Sequence, residues 1–117
     1  MPHIIINGTF SLEEFVARYN PCVQELPGGA LKLLDIFLNR DRTCALIEAL
    51  AAEGGPPNRF FVMVAQRGKK TTVKIYPGSD PEKTPGVKKL LALIAGQIKE
   101  AFPETAYGST NLQDFLL

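Results

Sequence analysis

The chain has 117 residues, 45% of them hydrophobic and 21% charged, with a formal net charge of +1. That length supports one domain with a core that needs neither disulfide nor metal, and the composition excludes a mainly disordered chain. The balanced charge excludes, on bulk charge, a strongly basic nucleic-acid binder and an acidic tail protein.

Ile4, Ile5 and Ile6 are β-branched and stop at Asn7-Gly8, which predicts a short strand. The opening residues carry neither the positive region nor the long apolar run of a signal peptide. Ser11 and Glu14 form a capping box, with Phe10 and Phe15 spaced as a hydrophobic staple. Leu12, Phe15, Val16 and Tyr19 then follow helical period until Asn20-Pro21 ends the run. Residues 22–26 and 30–38, joined through Gly28-Gly29, read as a hairpin, although Leu31, Leu34 and Leu38 also suit a helical stripe. Within a strand the apolar phase slips between Leu33 and Leu34, which calls for a bulge or burial on both faces.

Asp41 is placed to cap a second helix over residues 42–53. Its alanines favour helix, and Cys44, Ile47, Leu50 and Ala51 form a stripe that Gly54 to Pro57 terminates. Residues 60–65 are continuously apolar and read as a central strand covered on both faces. A turn at Arg67 to Lys70 leads into residues 71–76, where Val73 and Ile75 alternate with Thr72, Lys74 and Tyr76. Thr84 caps a third helix with Pro85 at its first position, and Val87, Leu90, Leu91, Ile94, Ile98 and Phe102 make its apolar stripe. Thr105 to Tyr107 offers an edge strand, and residues 111–117 form a short apolar tail.

The expected order is thus β-α-β-β-α-β-β-α with one further strand. The fold class is α+β: a mixed, mostly antiparallel sheet with helices packed on one face. The first six elements match a ferredoxin-like βαββαβ unit. Between Lys89 and Lys99 the uncharged apolar stretch is nine residues, Leu90 to Ile98, where a bilayer span takes roughly 20. Without a signal peptide, this points to a soluble cytoplasmic protein with no membrane contact. Cys22 and Cys44, which form no C-x-x-C, read as reduced and buried.

Catalysis is weakly supported, and the reading assigns no catalytic residue, no metal and no cofactor. His3 is the one histidine, and imidazole-dependent nucleophile or metal systems need one that is well placed. Asp35, inside an apolar run, would serve as a general base if buried, and otherwise belongs to an edge or a cross-strand ion pair. Arg40, Asp41, Arg42 and Arg59 would bind a carboxylate or phosphate if the helix start and strand start converge; otherwise they are surface ion pairs.

Charge is unevenly placed. Residues 67–89 hold seven basic and two acidic side chains, net +5, while residues 1–66 and 90–117 are each net −2. This suggests a phosphoanion or nucleic-acid site built from Arg67, Lys69, Lys70, Lys74, Tyr76, Ser79, Lys83, Thr84, Lys88 and Lys89. The helix start supplies free N–H groups, Gly78, Ser79 and Gly86 allow close backbone approach, and Tyr76 supplies a stacking ring. Lys69, Lys70, Lys88 and Lys89 are expected to share one face. The alternative is a lysine-rich turn that keeps a hairpin edge soluble.

The tail supplies the partner-binding candidates Leu112, Phe115, Leu116 and Leu117, which either fold back onto the core or dock on another chain. Its residues Gln113-Asp114-Phe115-Leu116-Leu117 resemble the short Gln-x-x-Leu-Leu/Phe peptide with which bacterial proteins bind the sliding clamp. That resemblance implies a docking arm. The favoured function is a small non-catalytic interaction protein that self-associates or docks to a partner through this tail and an exposed edge of strand 71–76. Anion or nucleic-acid binding through residues 67–89 comes second, and an enzyme whose site forms between subunits third.

Overall fold

The structure is a computed structural model that describes residues 2–116. In chain order it comprises β1 (His3–Asn7), α1 (Leu12–Arg18), β2 (Cys22–Leu26), β3 (Gly29–Leu38), β4 (Cys44–Glu53), β5 (Asn58–Arg67), β6 (Lys70–Ile75), α2 (Pro85–Ala101) and β7 (Ala106–Thr110). A 3-10 turn, Gln113–Phe115, follows. The seven strands form one curled sheet in the order β2-β3-β4-β5-β6-β1-β7, and neighbouring strands pair antiparallel.

Both helix starts form as their sequences direct. Ser11 Oγ accepts the Glu14 backbone N–H, and Thr84 Oγ1 accepts that of Val87. The first box is used differently at its other end, because the Glu14 carboxylate pairs with Arg18 at 2.8 Å. Phe10 stacks on Phe102 at 4.8 Å between ring centroids, and so ties the start of α1 to the end of α2. The phase slip in β3 is a bulge, since its register with β4 shifts between Leu33 and Ile36. There the buried Tyr19 hydroxyl donates to the Leu34 carbonyl at 2.7 Å. Burial, aided by Cys22 and Asp35, pushes this phenol well above its ordinary range.

The expected helix over 42–53 is instead the strand β4. Ala45, Ile47, Ala49 and Ala51 are fully buried, alternating with half-buried Leu46, Glu48, Leu50 and Ala52. Alanine's helix preference is worth only tenths of a kcal/mol per residue, and pairing on both sides with β3 and β5 overrides it. Asp41 caps nothing. The turn is held by Asn39, whose side-chain oxygen accepts the N–H groups of Thr43 and Cys44. A ferredoxin-like order needs a helix at this place, so it does not describe the chain.

Buried positions of β1, β3, β4, β5 and β6 form one core with Leu12 and Phe15 of α1 and with Val87, Leu90, Leu91, Ile94, Ala95 and Ile98 of α2. The small inward side chains of β4 lie where α2 packs, and they let the helix axis come close at normal packing density. Two further expectations change. β5 buries Phe60, Val62 and Val64 but leaves Phe61, Met63 and Ala65 only half-buried, so it is covered on one face rather than two. β6 lies between β5 and β1 and is not an edge; the edges are β2 and β7. Cys22 and Cys44 are free thiols, half-buried rather than buried, and burial pushes both upward.

Candidate interaction surface

The ten basic-region candidates do not gather into one site. Lys69 and Lys70 sit at the β5–β6 turn, where the Gly8 N–H donates to the Lys69 carbonyl and Asn7 pairs with Lys70. Thr105, just past the end of α2, lies against Gly8 at this same end of the molecule. Lys88 and Lys89 are in the first turns of α2, roughly 20 Å of helix away. These four lysines therefore do not share one face. Even the adjacent pair diverges: Lys88 borders a cleft with Pro2 and Asn111, whereas Lys89 borders one with Gln24 and Phe115.

The start of α2 already holds an anion from its own chain. Glu53, at the end of β4, accepts the Gly86 N–H at 2.9 Å and the Thr84 hydroxyl at 2.5 Å. A Cβ at position 86 would stand 2.6 Å from this carboxyl group and 2.8 Å from Leu31 Cδ2, so glycine is what permits the contact. A carboxylate here answers the helix dipole and satisfies free N–H groups. Glu53→Ala is expected to lower stability by about 1–2 kcal/mol in urea unfolding. A loss below about 0.3 kcal/mol would show that this cap contributes nothing. Nearby, Lys83 pairs with Asp80 at 2.8 Å, and its hydrogen bond and charge hold that carboxyl below the usual range. Ser79 Oγ accepts the Phe61 N–H at 3.1 Å and so pins the loop after β6 to β5.

The arginine candidates do not converge either. Arg42, with φ at 58°, ion-pairs with Glu13 on α1, while Arg59 pairs with Glu48 at the far end of β5. Asp35 is exposed at the β3 bulge and so is not a buried base. In the tail, Leu112 is buried, and Phe115 and Leu116 pack against the core. A docking arm would have to detach from that contact. Leu117 lies outside the described residues.

What the strand register does bring together is a different surface. Positions that alternate with the buried ones align across the sheet. Phe37, Leu46, Met63, Lys74 and His3 form one row. Glu48 and Phe61 lie opposite each other in the next, and the Tyr76 N–H donates to the Phe61 carbonyl at 2.8 Å. Val23, Lys32, Leu50 and Arg59 form a third. Val23 is 56% exposed, Phe37 54% and Tyr76 37%, while Leu46, Leu50, Phe61 and Met63 are half-buried. Single exposed apolar residues are ordinary; a contiguous patch of them marks a contact surface. Beside it, Arg59, Phe61, Tyr76, Gly78 and Ser79 line an open cleft of about 620 Å³.

Of this surface, the sequence singles out only Arg59, Lys74 and Tyr76. The signal for the rest is the run 60–65, apolar at both parities, a pattern that burial on both faces explains equally well. No family model, curated protein or solved structure matches the chain. Among the described residues, no helix is long and apolar enough to cross a membrane, and no three His, Cys, Asp or Glu side chains gather where they could hold a metal.

Proposed function

We propose that this is a small non-catalytic interaction protein whose contact surface is the outward face of its sheet, centred on Phe61 and Met63. The observation that carries the reading is the apolar patch formed by Phe37, Leu46, Leu50, Phe61, Met63 and Tyr76 across β3–β6, interrupted only by the charged side chains of Glu48 and Lys74. Both helices contribute buried side chains to the same core as the alternating inward positions of the strands. Water contact on such a face is costly, and burial against another molecule recovers roughly 25 cal/mol per Å². This surface replaces the tail and the supposed edge at 71–76, because Leu112 is buried and β6 is paired on both sides.

A photo-crosslinking residue at Met63, installed in the host cell, tests this directly. Glu100, exposed on α2, is the control position. The expected result is a discrete adduct from position 63 that position 100 does not form. Equal labelling from both sites would overturn the reading.

One observation favours a second reading, single-stranded nucleic acid. Phe61 gives Tyr76 the aromatic neighbour that its own strand lacks, with Arg59 and Lys74 close by on the same face. Stacking rings flanked by cations are how sheet surfaces hold unpaired bases. An adduct at position 63 that nuclease removes would establish this reading in place of the first.

A further inference from the structure

We infer that the occupant of the outward sheet face is a second copy of this chain, docked face to face about a two-fold axis running along β5. The inference rests on the interaction reading above and names its partner. A two-fold interface uses the same patch on both copies, so the patch must complement itself. This one does so for one orientation of the axis. β5 is the fourth of seven strands and carries Phe61 and Met63 at the centre of the apolar patch. On one side of it, β4 brings the acidic side chain Glu48. On the other, β6 brings Lys74, which has no ion pair among the described residues.

Rotation about β5 lays β4 of one copy over β6 of the other. Glu48 and Lys74 of the second copy then lie one side-chain repeat apart, about 7 Å along the strand and within the reach of a lysine. Glu48 is already paired with Arg59, and a carboxylate has acceptor sites to spare for a second cation. Phe61 and Met63 meet their own counterparts at the axis, and Phe37 falls over His3 of the second copy; Arg59, also on β5, meets its own counterpart with its charge offset by Glu48 of its own chain. Lys32, the cation on the acidic side, lies beyond the row where β1 begins, so it meets no like charge. An axis across the strands would instead set β4 on β4 and β6 on β6, bringing Glu48 near Glu48 and Lys74 near Lys74. Sheets stacked face to face sit about 10 Å apart with strands about 30° off parallel, which suits side chains of this size.

The face spans five strands at about 4.8 Å by roughly 20 Å along them, near 500 Å² per copy. A standard stable interface buries about 800 Å² per partner, so the dimer should be of micromolar strength. Sedimentation equilibrium on the full chain from about 1 to about 500 µM tests this. A reversible monomer–dimer equilibrium is expected. Met63→Glu should weaken it by roughly 30-fold or more. Glu48→Lys and Lys74→Glu should each weaken it by roughly 10-fold, and together they should restore most of the loss. Unchanged circular dichroism and melting keep misfolding out of the comparison.

A chain that is monomeric throughout, a dimer indifferent to Met63→Glu, or a charge swap that fails to rescue would each overturn the inference. A monomer that still forms a Met63 adduct with a different protein would overturn the second-copy assignment while leaving the interaction surface standing. No adduct at position 63 would remove both.

Discussion

Leu90→Ala is expected to destabilise the protein by about 2–5 kcal/mol. A domain of this size should then melt roughly 10 °C lower or more. Leu90 is fully buried in α2, which packs against β1, β3, β4 and β6, and the 3-10 turn of the tail packs on α2 as well. With neighbours on several sides held by strand pairing, little can collapse into the space that truncation leaves. The lost transfer free energy and the cavity then both count. Thermal and urea unfolding would measure the effect, with an unchanged urea slope confirming that stability alone moved. Glu100→Ala, exposed on the same helix, should stay within about 0.5 kcal/mol. A Leu90→Ala loss below about 1 kcal/mol would mean that α2 is not enclosed as described.

The second large effect separates two adjacent glycines. Gly29→Ala should cost about 3 kcal/mol or more, and Gly28→Ala only about 1 kcal/mol. A Cβ at Gly29 would stand 1.9 Å from the Ala52 carbonyl oxygen and 2.8 Å from its carbon. Both are backbone atoms of β4 and cannot rotate away, so the strand ends must part. The neighbouring pair Gly29–Glu53 then moves too, and with it the carboxylate that caps α2. Gly28 has open space, and its penalty comes from a φ of +78° alone. Urea unfolding of the two variants side by side checks the ranking, and the reverse order would contradict the β3–β4 pairing at this end.

In sequence the two glycines look alike, as turn punctuation. Only the partner strand distinguishes a conformational requirement from a steric one. β4 shows the same limit more severely. Its alanines alternate with larger residues in a pattern that fits period two, yet the same letters satisfy helix propensity, and nothing local decides between them. The apolar run of β5 marks it as a strand. Whether its second face is covered depends on where distant helices lie, and that is why the patch around Phe61 and Met63 was not legible. The lysines of residues 67–89 are neighbours along the chain, but a strand and a helix carry them to opposite ends of the molecule.

Signals confined to a few residues were determined by sequence alone: the caps at Ser11 and Thr84, the β5–β6 hairpin and the apolar stripe of α2. Each rests on hydrogen bonds or side-chain periodicity within one or two turns or strands, so nearby residues suffice to specify it. Tertiary structure decided the rest: β4 as a strand, β6 in the sheet interior, Glu53 on the helix start, and the rows of the outward face. These depend on which strands pair and which face the helices cover. Such choices are made by burial summed over the whole chain, which outweighs the tenths of a kcal/mol in any local preference.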